Sequence, residues 1–296
     1  MDNKGFRVAI IGYASNDYSM RVARFEAVGK TTLVSKRLTS AWPEAGGIAR
    51  IFSGLSGKID SDAISWVGED AQSELWKEEV EKYGGNTAGV DSLDGNSPSA
   101  YLFHDGNGDT ECFFDPGLDD PSAQKLSIGQ ASLLSMATHV VSAIGPEPAT
   151  RMMINSLGDS VVLIWIVKAD AGSLPLDLRT LLFERANVVI YSHQEDPFLR
   201  GIPALESNDP LESPFRSKLI IKTAGKANIE WAFGGLRSSS PVTPIAGEIN
   251  ATGAGDFFTG SFVAHYLLTA DPRASIEKAC QATFHFLESR TTNSEE

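Results

Sequence analysis

Asn250-Ala-Thr-Gly-Ala-Gly-Asp256 runs without a break into Phe257-Phe-Thr-Gly-Ser-Phe-Val-Ala-His-Tyr-Leu-Leu268, an apolar stretch of helix length. Gly253, Ala254 and Gly255 are small enough for the backbone to approach a ligand closely, and the start of a helix presents N–H groups with no partner inside the helix. The combination predicts an anion site suited to a phosphoryl group in transfer. A carboxylate there repels bound phosphate unless it has a task. The natural task for Asp256 is to take the proton from an attacking hydroxyl. Read in isolation, the same acid serves equally well as a helix-start residue that caps the helix or favours its dipole.

Working outward, Arg7-Val-Ala-Ile-Ile-Gly12 reads as a buried strand ending at a glycine, and residues 160–167, 186–191 and 218–222 are apolar runs of the same kind. Helix-like stretches separate them. In the clearest, Asp70 to Tyr83, the residues Ala71, Leu75, Val80 and Tyr83 are expected near one face. Continuous apolar strands alternating with helices predict an α/β fold whose mainly parallel sheet is covered on both faces, in a single domain over residues 1–296.

Two segments break the rhythm. Lys30-Thr-Thr-Leu-Val-Ser-Lys36 alternates as a solvated strand would. Ser99–His104 and Thr110–Phe114 read as two strands about the turn Asp105-Gly-Asn-Gly-Asp109, with Gly106 and Gly108 supplying the turn. Residues 30–36 and 99–114 are therefore expected to form a small β lid beside a binding site. Such surfaces commonly pair between copies to hide apolar residues, so a homodimer through the lid is a further expectation.

The formal net charge of −13 and the absence of a Lys/Arg cluster argue against nucleic-acid partners, though not against a nucleotide held by a few N–H groups and Mg²⁺. No apolar run is long enough for a membrane helix, and the opening residues carry no signal-peptide pattern. Cys112 and Cys280 match no metal-ligand spacing, which indicates a reducing cytoplasm and no disulfide framework. The histidines show no zinc-site clustering. Val28-Gly-Lys-Thr-Thr32 ends like a Walker loop, but Arg24 stands where its first glycine belongs and no buried strand precedes it.

With these elements in order, the chain resembles the ribokinase/PfkB family of carbohydrate and nucleoside kinases, whose signature is Asp-Thr-x-Gly-Ala-Gly-Asp followed by a helix. Gly12-Tyr-Ala-Ser-Asn-Asp17 matches the family's Gly-x4-Asp, and Gly46-Gly47 its di-glycine before a helix. Trp66-Val-Gly-Glu-Asp70 matches its Gly-x-Asp after the next strand. Ser192-His-Gln-Glu195 sits where the family has Asn-x-x-Glu, and Thr223-Ala-Gly225 where it has Thr-x-Gly. The resemblance spans roughly residues 6 to 290.

It implies a ribokinase-like fold with a β lid over a small-molecule acceptor, a sugar or a nucleoside. By resemblance, Asp17, Gly46 and Gly47 bind the acceptor, while Thr223, Gly225 and Thr252 contact ATP. Glu195 orders Mg²⁺ through water in the family's manner, and Asp256 is the base, with Gly253, Ala254 and Gly255 forming the anion hole. A monovalent cation is compatible with the family. Four positions depart from its pattern: Asn250, Ile51, Ser192 and Asn228. Ile51 cannot offer the amide that an Asn places near sugar hydroxyls, so ribose is expected to be a poor substrate. The same fold also serves a second reading, a catalytically weak or inactive protein that binds a metabolite or partner. Retention of Asp256 separates the two, since a pure binder gains nothing from an acid beside phosphate.

Overall fold

Arg7–Ile11 forms strand β1, and its alternation explains why one sheet carries helices on both faces. Val8 and Ile10 are buried in one core cluster, Ala9 and Ile11 in the other. In the computed structural model the described residues are 5–39, 41–106, 109–117, 124–205, 207, 209–212, 216–245 and 249–291. Gly108, one of the two expected turn glycines, lies outside them, as does the tail from residue 292 onward.

The main sheet has nine strands in the order β14-β13-β12-β11-β10-β9-β1-β5-β6. These are β14 (Leu236–Ser240), β13 (Ile229–Phe233), β12 (Leu219–Thr223), β11 (Val188–Ser192) and β10 (Val162–Ile166), followed by β9 (His139–Ser142), β1, β5 (Asp60–Val67) and β6 (Gly85–Ser92). Pairing is parallel from β12 through β6 and antiparallel from β12 to β14. Helices α1 (Ala49–Leu55), α2 (Ala71–Lys82), α7 (Ala254–Thr269) and α8 (Pro272–Glu288) supply one core cluster. Helices α3 (Ile128–Met136), α4 (Glu147–Ser156), α5 (Leu176–Arg185) and α6 (Asp196–Leu199) supply the other. No helix of the described residues is long and apolar enough to cross a membrane.

A second sheet joins β3 (Val34–Arg37), β2 (Asn16–Val22), β7 (Ser99–His104) and β8 (Thr110–Asp115), with β4 (Glu44–Ala45) paired to β2. The segments expected in one β appendage thus share one sheet, but β2, for which the sequence predicts no strand, lies between them. The first of those segments is also shorter than expected. Residues 27–30 turn instead, with the Lys30 N–H on the Ala27 carbonyl and Gly29 at φ +85°. All of β3 is exposed, so no buried face extends the strand further.

Helix α2 begins at Asp70, whose Oδ1 accepts from the Ser73 N–H at 2.9 Å, a side-chain cap. Its buried face is Ser73, Trp76 and Val80, while Leu75 is 54% exposed. The expected stripe through Leu75 is therefore rotated. Trp76 sets the rotation: it is fully buried and its Nε1 donates to the Gly46 carbonyl at 3.1 Å, and a large ring with a satisfied N–H outweighs one leucine.

Candidate active site

Strand β1 delivers the chain to the carboxyl edge of the sheet, where open parallel sheets place their ligands. The chain then crosses to the second sheet, and Asp17 sits in β2 with 6% of its surface exposed. Ser15 Oγ donates to Asp17 Oδ1 at 2.8 Å. Opposite stands Gly46, where a Cβ atom would lie 2.1 Å from the Asp17 carboxyl carbon. Gly47 follows at φ +54°, and its Cβ would meet the Tyr13 carbonyl at 2.1 Å. The di-glycine is there because the carboxylate and the backbone leave no room for a side chain.

Helix α7 starts at the other half of the site. Gly253 precedes it at φ +77°, no side chain caps it, and Ala254, Gly255 and Asp256 form its first turn. Among the described residues no oxygen accepts from the N–H of Gly255 or Asp256, so the helix start is open to an anion. The two halves meet through glycine contacts between α1 and α7. A Cβ on Gly260 would lie 2.0 Å from the Ile51 carbonyl, and one on Gly54 would lie 2.2 Å from the Phe257 carbonyl. That close approach carries the loop before α1 and the loop before α7 to the same place.

Arg50 lies between them and is 7% exposed. Its stem occupies the space a Gly253 side chain would need, and its Nη2 donates to Glu44 Oε2 at 2.7 Å. Arg290, beyond α8, donates to the same oxygen at 2.7 Å. Burial drives the Asp17 carboxyl up to about 6; the Ser15 hydroxyl and Arg50 oppose the shift, while the charges of Asp256 and Glu44 add to it. Burial also raises Asp256, against the pull of Lys168 and Arg50. Both carboxylates are thus held toward neutrality, the direction that suits proton exchange near neutral pH.

The residues expected on the nucleotide side occupy the edge of β11 and β12. Ser192 pairs with Thr223 across those strands. Glu195, 8% exposed, accepts from the Ser192 N–H through Oε2 at 2.7 Å, and Ser192 Oγ accepts from the Gln194 N–H. Ser192, in place of the family's Asn, thus closes the turn that carries Glu195. Gly225 is at φ +60° with open space around it. A single carboxylate beside an open phosphate cradle fits Mg²⁺, which is held mainly by substrate phosphates and water. The hydroxyl of Thr252, expected to contact ATP, lies 3.2 Å from Ser19 Oγ and 3.3 Å from His104 Nε2, both in the second sheet.

Asn250 Oδ1 accepts from the Thr252 N–H at 3.1 Å, and its Nδ2 is buried without a partner. Ile51 is fully buried within the core cluster of α1 and α7, so it forms no part of the cleft wall. The discrimination against ribose expected from Ile51 loses its basis. Residues the sequence reading missed are Arg50, Glu44, Arg290 and Lys168. Lys168 follows the apolar run of β10 at the carboxyl edge, a position that could have flagged it. The Cys112 thiol, raised first by burial, also feels the charges of Asp17 and Lys168, so it borders the same cleft.

A family model described as pfkB family carbohydrate kinase matches residues 6–294, and the chain belongs to that family. The nucleoside kinase of Methanocaldococcus jannaschii, an archaeal member of the ribokinase family, is similar in fold with a TM-score of 0.75. It is 17% identical, over 97% of this chain and 93% of that one. The ribokinase of Cryptococcus neoformans var. grubii serotype A in complex with ADP matches with a TM-score of 0.75 and 19% identity, over 94% and 92%. Thermotoga maritima ribokinase matches at 0.70 and 15%, over 94% and 91%. The fold is therefore ribokinase-like. No curated protein matches the sequence significantly.

Proposed function

We propose that the protein is an ATP-dependent phosphotransferase that phosphorylates a hydroxyl of a small sugar or nucleoside-like acceptor. One observation carries the reading: Asp256 stands in the first turn of an uncapped helix, facing the same cleft as the buried acid Asp17. Asp17 accepts hydrogen bonds from acceptor hydroxyls, with Gly46 and Gly47 forming the floor. Asp256 takes the proton of the attacking hydroxyl as that oxygen bonds to the γ-phosphorus, and the N–H groups of Gly255 and Asp256 face the charge that spreads over the phosphoryl oxygens. Thr223 and Gly225 line the nucleotide side, and Glu195 orders the water shell of Mg²⁺, which neutralises phosphate charge when bound. An Escherichia coli protein of similar fold was solved with ATP and Mg²⁺.

The second sheet acts as the lid in this reading, excluding water so that ATP is not hydrolysed. Its outer face carries Tyr18 stacked on Tyr101 and Phe103 edge-on to Phe113, the last 59% exposed, which supports pairing between copies. The test is a screen of sugars and nucleosides with ATP·Mg²⁺, scored by the mass of the phosphorylated product. Transfer to one acceptor is the expected result. Nucleotide binding with transfer to none would favour the binding-protein alternative.

A further inference from the structure

Lys168 was singled out by no motif, yet the sheet register puts it at the centre of the cleft. Ile166 pairs with Ile190, the Val167 N–H donates to the Ile190 carbonyl at 2.9 Å, and Ser192 pairs with Thr223. Two residues past Ile166, Lys168 is level with Ser192 and Thr223 along the carboxyl edge. Ile166 packs in the core cluster that includes α7, so strand alternation carries Lys168 out on the face where α7 begins.

The cations around it are otherwise engaged. Arg50 and Arg290 both bond Glu44, and Arg50 is buried against Gly253. The Lys168 ammonium forms no ion pair or hydrogen bond among the described residues, and only the backbone carbonyl of Lys168 is engaged, accepting from the Asp170 N–H at 2.9 Å. Its ammonium is nonetheless held protonated, first by Asp256, then by Glu195 and Asp17, against the cost of desolvation. Carboxylates from three separate elements therefore act on one ammonium that pairs with none of them among the described residues. An anion that fits between Asp256, Glu195 and Lys168 meets in Lys168 an ammonium with no ion-pair partner among the described residues.

We infer that Lys168 is a catalytic residue that binds the phosphoryl group as it passes from nucleotide to acceptor. This rests on the kinase reading above. The acceptor O–P bond forms as the bond between the γ-phosphorus and the bridging oxygen breaks. ADP leaves with that electron pair, the hydroxyl proton goes to Asp256, and Lys168 keeps its proton throughout while offsetting charge on the non-bridging oxygens.

Calorimetric titration of the full chain with Mg²⁺ and either ADP or the non-hydrolysable analogue AMP-PNP tests it without an acceptor. For Lys168→Met, AMP-PNP affinity is expected to fall by about tenfold to a hundredfold. ADP affinity should stay within about twofold, because only AMP-PNP carries the third phosphate. Lys168→Arg, which keeps the charge, should recover most of the loss. Equal affinities of parent and Lys168→Met for AMP-PNP overturn the inference and leave the kinase reading intact. So does an equal loss for both ligands, which would place the lysine elsewhere on the nucleotide. If the parent binds neither ligand, the kinase reading itself fails and the inference with it.

Discussion

Two buried aspartates lie toward opposite ends of this molecule's sheets and have opposite environments. Asp62, near the start of β5, is 3% exposed and accepts from Arg7 Nε at 2.7 Å, Arg7 Nη2 at 3.2 Å and Asn86 Nδ2 at 2.6 Å. Asp17, in β2 by the carboxyl edge, is 6% exposed and has one hydrogen bond among the described residues, from Ser15. The first acid is satisfied by its own fold. The second is desolvated without matching partners, with its carboxyl driven up to about 6, and the proposed function gives it a ligand hydroxyl as partner. Burial alone does not separate the two acids; the count of satisfied lone pairs does.

The largest expected effect comes from the residue that shares Asp17's cleft. Asp256→Asn should lower kcat by on the order of 10²–10⁴ with little change in nucleotide affinity, because it removes the proton acceptor and keeps the shape. Single-turnover assays with the best acceptor check this, and turnover at the parent rate would remove Asp256 from the mechanism.

The two aspartates should then respond to the same change with opposite signs. Asp62→Asn should destabilise the fold by about 2 kcal/mol, since it leaves a partly solvated Arg7 without its carboxylate, and it should leave acceptor KM untouched. For Asp17 the raised value means that the folded state prefers the protonated form. The penalty is absent below the ordinary value of 3.8, grows as pH rises, and is complete above about 6. Asp17→Asn should therefore stabilise the protein at pH 7 by up to about 3 kcal/mol and give no gain near pH 4, while weakening acceptor binding by about tenfold to a hundredfold. Denaturation at the two pH values, run beside acceptor titrations, breaks the comparison if both variants move alike.

Gly46→Ala probes how tightly Asp17 is framed. The added methyl would land on the carboxylate, so a loss of about 1–3 kcal/mol in stability is expected, together with a raised acceptor KM. A smaller effect concerns pH. Acceptor kcat/KM should fall as pH drops through about 6, where Asp17 gains its proton and can no longer only accept. A profile flat from pH 5 to pH 8 would mean that Asp17 does not carry the acceptor.

Much of the site was legible because its demands are local. Gly253 at φ +77° and Gly47 at φ +54° serve backbone conformations that glycine adopts freely, and such positions show in a sequence as small residues before a helix. The apolar runs of β1, β10, β11 and β12 were legible for a similar reason, since a strand buried on both faces needs no partner to be recognised. The solvated strands were harder. Lys30–Lys36 alternates, yet only Val34–Arg37 pairs, because an exposed strand's limits are set by its neighbour β2 and not by its own pattern.

The sequence by itself determined the layered α/β fold, the glycine-built helix start and the identity of the acid at its mouth. Only the tertiary structure decided which charges meet there. Arg50, Glu44 and Arg290 come from a helix, a two-residue strand and the segment beyond the last helix, and two of them share one carboxylate oxygen. Lys168 feels the charges of Asp256 and Glu195 because parallel strands bring the end of β10 level with the end of β11, beside the start of α7. Ile51, read as part of the acceptor wall, turns inward because Gly260 lets α7 press against its carbonyl. Glycine spacing is written along the chain, but charge–charge proximity depends on distances that folding creates between residues far apart in it.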